Sequence, residues 1–127
     1  MTRKSFWLLA GFLAACGASA WAAPSPQAHK EIEGLMQALA TSSCQFNRNG
    51  SWYDAAQAHT HLQRKYDYLL KKDLLDTPEQ FIERAASRSS LSGRAYRVRC
   101  PGHAERAASA WFGAELERLR RSPAKSP

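Results

Sequence analysis

Tyr96-Arg97-Val98-Arg99-Cys100 alternates apolar and charged side chains, the pattern of a strand with one face buried, and Pro101-Gly102 ends it. Upstream, Cys44-Gln45-Phe46 puts Cys44 and Phe46 on one side of a second extended segment, and Asn47-Arg48-Asn49-Gly50 supplies turn residues. If Cys44 faces Cys100 in antiparallel pairing, Phe46 falls opposite Val98 and Arg48 opposite Tyr96. The two cysteines and the apolar alternation therefore agree on one register. The expectation is a two-stranded ribbon clamped by a Cys44–Cys100 disulfide. Closing a loop of 57 residues in this way stabilises a domain by roughly 4 kcal/mol in the chain-entropy model.

That pairing needs the third cysteine, Cys16, to be accounted for, and the N-terminus does so. Arg3 and Lys4, an apolar run from Phe6 to Ala15 and small residues after it describe a secretory signal peptide over 1–22, with Ala20-Trp21-Ala22 or Ala18-Ser19-Ala20 before the cut. A second reading competes: Leu13-Ala14-Ala15-Cys16 followed by Gly17 resembles a lipobox, which would make 1–15 the removed segment and Cys16 a lipidated N-terminus. Either way the mature protein is exported, to the periplasm, soluble or tethered through lipid. Its only cysteine pair then lies in an oxidising compartment. Cys44 and Cys100 lack the Cys-x-x-Cys spacing of a redox-active pair.

Removal of 1–22 leaves 105 residues, enough for one domain, read here as 23–121 with a disordered tail over 122–127. Lys and Arg still outnumber acids by 16 to 11 once Arg3 and Lys4 are gone. For an exported domain that balance points to an anionic envelope component or an acidic protein as partner, and away from nucleic acid. The only membrane contact expected is through a lipid on Cys16.

Four helices are expected. Ser25-Pro26 caps the first, with Ile32, Leu35, Met36 and Leu39 at helical spacing as far as about Thr41. Ser51-Trp52-Tyr53-Asp54 reads as a capping box opening a long helix whose apolar stripe is Ala55, Ala58, Leu62, Tyr66 and Leu69. Thr77-Pro78-Glu79-Gln80 starts the third, burying Phe81, Ile82, Ala85 and Ala86, and the serine-rich run from Ser87 ends it. Ser109 is read as the cap of the last, with Trp111, Phe112, Leu116 and Leu119 inward. The fold class is α+β, mainly α: about four helices packed around the short ribbon.

Phe46-Asn47-Arg48-Asn49-Gly50, His61-Leu62, Lys65, Glu79-Gln80-Phe81-Ile82, Ala85-Ala86-Ser87, Ser89-Ser90, Gly93, Tyr96 and Val98 resemble the YfeK-like family of small periplasmic proteins. The resemblance covers about residues 44 to 102. It implies compartment and domain identity and no mechanism, since that family has no established function.

The chemistry-bearing constellations are basic. Arg84, Arg88 and Arg94 surround Ser87, Ser89, Ser90 and Ser92, and the ribbon brings Arg48 near, which suits charge-assisted bonds to phosphate or carboxylate. The plainer reading is serines capping a helix end and arginines solvating a surface. His61, Lys65 and Tyr68 lie at i, i+4, i+7 on the long helix and form a candidate partner face. His59 and His61 diverge on that helix, so no metal is expected, and no cofactor motif occurs. The leading expectation is non-enzymatic binding of an anionic envelope ligand or acidic protein. The alternative is a small periplasmic hydrolase or glycan-modifying enzyme using Asp54, His61 and a loop serine such as Ser89.

Overall fold

The computed structural model describes residues 23–122; the signal segment, Cys16 and residues 123–127 of the expected tail lie outside the described residues. Along the chain run α1 (Pro26–Thr41), β1 (Gln45–Arg48), β2 (Ser51–Tyr53), α2 (Ala55–Lys71), α3 (Pro78–Ala85), β3 (Arg97–Arg99), β4 (Arg106–Ala107) and α4 (Ala108–Arg121).

The expected register is present: Phe46 pairs with Val98, and Cys44 is bonded to Cys100 with their Cα atoms 4.1 Å apart. The ladder itself ends at Asn47↔Arg97, one pair short of Arg48 and Tyr96. The two-stranded ribbon, however, is the centre of a four-stranded antiparallel sheet in the order β2-β1-β3-β4. Asn49 and Gly50 both adopt positive φ, 54° and 89°, as a two-residue hairpin turn of the primed kind requires. Asn-Gly tolerates that geometry, so Ser51 pairs back onto Arg48 and Tyr53 onto Phe46.

This corrects the reading of Ser51 as a helix cap. The cap of α2 is Asp54, whose carboxylate accepts from Gln57 N–H at 2.8 Å while Gln57 Oε1 accepts from Asp54 N–H at 3.1 Å. The N-terminus of α4 is likewise corrected from Ser109 to Ala107, which has no side-chain cap; β4 runs straight into the helix instead. At the other two starts Ser25 and Thr77 cap α1 and α3 as the sequence implies.

All five stripe residues of α2 are buried, as are Ile32, Leu35, Met36 and Leu39 of α1. All but Ala55 meet Phe81, Trp111, Phe112 and Leu116 in one core, in which the Tyr66, Phe81, Phe112 and Trp111 rings succeed one another edge to face. On the outside, Arg120 of α4 reaches Glu31 of α1 at 2.9 Å and Glu79 of α3 at 2.8 Å, joining three helices at the surface.

Protein lacking residues 1–22, denatured without reductant, should show no free thiol. Reduction should lower its unfolding free energy by roughly 4 kcal/mol in denaturant titration. Two reactive thiols in the unreduced sample would contradict the bond.

Candidate functional site

The sheet and α2 leave a cavity of about 290 Å³ between them. Its floor is apolar: Phe46 from β1, Ala58 and Leu62 from α2, Ala86 just after α3, and Ala108 and Phe112 from α4. Around this floor stand Asn47 and Arg48 of β1, Tyr53 of β2, Tyr96, and Gln57, Thr60, His61 and Arg64 of α2. Helical spacing puts Gln57, His61 and Arg64 on one flank of α2, while the hairpin carries Arg48 to the facing side, its guanidinium 5.1 Å from the centre of the Tyr53 ring.

One edge of the cavity is a chain of polar contacts. Lys65 Nζ donates to the Tyr96 hydroxyl at 3.0 Å and to the Arg88 carbonyl at 3.0 Å, and the same hydroxyl lies 3.0 Å from His61 Nε2. Burial, then the nearby charges of Arg48, Lys65 and Arg64, pull the His61 pKa from 6.5 down to about 4, so the ring is neutral at pH 7. Burial, with Arg48 and Arg88, lowers Lys65 from 10.5 to about 8. Burial raises Tyr96, with Arg48 opposing.

Ion pairs engage some cations of the domain and not others. Among the described residues the arginines that pair with acids are Arg97 on β3 and Arg118, Arg120 and Arg121 on α4. Arg48, Arg64, Lys65, Arg88 and Arg94 form no ion pair among them. Away from the cavity, Lys30, Lys71, Lys72, Arg84, Arg99 and Arg106 also have none among the described residues.

In the serine-rich loop three hydroxyls bond within the protein. Ser89 is buried, and its hydroxyl accepts from the backbone N–H groups of Leu91 and Ser92 and from Asn49 Nδ2. Ser87 donates to the Ile82 carbonyl at the end of α3, and Ser92 donates to Asn49 Oδ1 at 2.6 Å. These hydroxyls lock the loop to the hairpin tip. Ser90, Arg88 and Arg94 are exposed there, whereas Arg84 turns away to the Leu74 carbonyl. The loop thus brings Arg88 and Arg94 beside Lys65 and Gly50, with Arg48 close by, and leaves Arg84 apart.

The helical line of His61, Lys65 and Tyr68 divides: the first two converge on Tyr96, and Tyr68 stands 56% exposed beneath the Lys72 ammonium. Asp54, His61 and Ser89 each bond elsewhere and not to one another, so they form no triad. No group of three or more His, Cys, Asp or Glu among the described residues could hold a metal ion.

Gln57 and Arg64 belong to the polar flank that the sequence gives the long helix, and Tyr53 to an aromatic pair with Trp52 beside Asn49-Gly50 that suits a sugar ring; that the three meet in one cavity is not visible in the sequence. The Asn49-Gly50 turn was the signal for Tyr53, because a two-residue hairpin fixes it opposite Phe46.

Residues 26–120 match Family of unknown function (DUF5329), from the first residue of α1 to the penultimate residue of α4. The chain belongs to this family. One similar protein, the uncharacterized protein YfeK of Salmonella typhimurium, is 35% identical over 78 residues, which is 61% of this chain. The aligned part spans 63% of that relative's length. No solved structure matches. Membership supplies no activity, although Phe46, Asn47, Arg48, His61, Leu62, Ala86 and Tyr96, all among the residues that carry the YfeK-like resemblance, meet in the cavity.

No helix among the described residues is long and apolar enough to cross a membrane. The disulfide is compatible with an exported protein.

The low His61 pKa has a measurable consequence. Between about 4 and 6.5 the unfolded imidazole binds a proton that the folded one does not, so unfolding free energy rises with pH across that window. Outside the window His61 contributes no slope. In denaturant titrations at pH 4 to 7, His61→Gln should show a smaller rise than wild type; an equal rise would refute the assignment.

Proposed function

We propose that this domain is a non-enzymatic binding protein of the bacterial envelope whose cavity takes a small amphiphilic anion: an apolar body against Phe46, Leu62 and Phe112, and a carboxylate, phosphate or sulfonate at Arg48 and Arg64. One observation carries the reading, the meeting of an apolar cavity with a set of cations that have no ion-pair partner among the described residues. Unpaired guanidinium groups beside an apolar wall suit an anion that brings its own apolar surface, since such a ligand would itself shield its charge-assisted bonds from water. Arg88 and Arg94, on the loop fastened to the hairpin tip, extend the positive field outward and would draw an anion toward the mouth.

The envelope location rests on the sequence of 1–22 and on the disulfide, with lipidation at Cys16 deciding between a tethered and a free form. Mass spectrometry of the mature N-terminus distinguishes these.

The probe for the cavity is 8-anilinonaphthalene-1-sulfonate, an aromatic sulfonate. Its fluorescence should rise saturably with folded protein, and binding should weaken as sodium chloride is added. Arg48→Ala should weaken it about 10- to 100-fold, as expected for a lost charged hydrogen bond. Arg88→Ala, on the outer loop, should mainly flatten the salt dependence. Saturable binding that ignores both salt and Arg48→Ala would overturn the anion site.

A further inference from the structure

The polar chain beside the cavity has a direction, and the direction sets what His61 offers a ligand. A lysine ammonium has three donors and no acceptor, so in both of its contacts Lys65 gives a proton: one to the Arg88 carbonyl, one to the Tyr96 oxygen. Tyr96 has a single proton of its own. The hydroxyl's one other hydrogen-bond partner among the described residues is His61 Nε2, 3.0 Å away. If Tyr96 donates to a bare Nε2, the hydroxyl is satisfied as donor and acceptor, and the ring carries its proton on Nδ1. If Nε2–H donates instead, the phenolic proton has no acceptor among the described residues and Nδ1 is left a bare acceptor. The first arrangement leaves one polar atom of the chain unpartnered, the second leaves two. The ammonium also favours the first, because a cation at the phenol oxygen draws electron density from it and makes the O–H a better donor.

We propose that Lys65, acting through Tyr96, holds His61 as the Nδ1–H tautomer, and that this N–H is a specificity-determining donor for the oxyanion of the cavity's ligand. The second half rests on the reading of the cavity as an anion site; the first half does not. Lys65 and Tyr96 are positioning residues in this arrangement, and His61 is the group that meets the ligand. The cavity rim then presents donors at Arg48, Arg64 and His61, so it accepts a group with only lone pairs to offer and rejects an isosteric amide or amine, which would set donor against donor. The neutrality of His61 at pH 7 leaves the ring one proton, and its place is what the chain decides.

Long-range proton–nitrogen correlation spectra of ¹⁵N-labelled, ligand-free protein at pH 7 report directly which ring nitrogen of His61 is protonated. Wild type should show protonated Nδ1 and bare Nε2. Tyr96→Phe, which keeps the ring and every charge, should move the population toward Nε2–H, as should Lys65→Met, while Lys65→Arg should keep the wild-type pattern. A wild-type protein with Nε2–H overturns the proposal without any variant. So does a folded Tyr96→Phe whose tautomer is unchanged.

The ligand half is read with 8-anilinonaphthalene-1-sulfonate. Its addition should shift the His61 Nδ1–H resonance, and Tyr96→Phe should bind it about tenfold more weakly with the same salt dependence. An unshifted resonance in the bound complex overturns the donor role while leaving the cavity an anion site. Absence of sulfonate binding sinks the anion site and the ligand half together, and the tautomer spectrum still decides the first half. Decanoate and phenyl phosphate serve as further arms to separate carboxylate from phosphate as the oxyanion.

Discussion

Pairing of β1 with β3, pinned at one end by the Cys44–Cys100 bond, is the constraint on which the rest of this domain depends. Side chains on a strand alternate faces, so a slip of β1 by one residue would carry Phe46 out of the core while Val98 stayed in it. The covalent bond at the ladder's end forbids that slip. With the register held, Phe46 packs edge-on to Trp111, and Arg48, two residues along the strand, arrives at the cavity mouth. On the opposite strand the same register leaves Tyr96 just past the end of the ladder, where its hydroxyl reaches α2.

The helices serve this arrangement from both sides. α2 contributes a face of two kinds, the buried stripe from Ala55 to Leu69 and a polar flank of Gln57, His61 and Arg64 that lines the cavity. α4 closes the floor with Ala108 and Phe112, and Arg120 secures it to α1 and α3. The arginine ion pairs lie on α4 and β3, and the cations at the cavity have none among the described residues. For a basic protein this placement matters more than net charge, since a cation already paired with a carboxylate attracts an anion only weakly.

What was legible in the sequence followed from periodicity and caps. The α2 stripe, the α1 stripe and the Thr77-Pro78 start are local patterns, and each appears as read. The Cys44–Cys100 register was legible because a disulfide and an alternation had to agree. Ser51-Trp52-Tyr53-Asp54 misled because Ser and Asp at that spacing satisfy a capping box on paper, while Asn49-Gly50 folds Ser51 back onto Arg48 as a strand. β4 has two residues, too few to show any period. The serine loop was open to two readings, an anion site or serines that cap a helix end. Hydroxyls that could serve a phosphate serve the loop's own backbone and Asn49, which no local pattern records. The cavity was hidden because its walls come from segments far apart in sequence and its apolar floor reads as ordinary core.

The disulfide also makes the chain from Cys44 to Cys100 a covalent ring. Every cavity-lining residue except Ala108 and Phe112 lies within that ring, together with the exposed Arg88 and Arg94 of the serine loop. A trypsin-like protease cutting after either arginine would open the ring without releasing a piece, since both new ends stay joined through sulfur. The nicked molecule would keep β1, α2 and β3 tethered to one another, and the two outer helices would remain attached to the same bridge. Reduction would turn that harmless nick into a separation of the cavity's two walls.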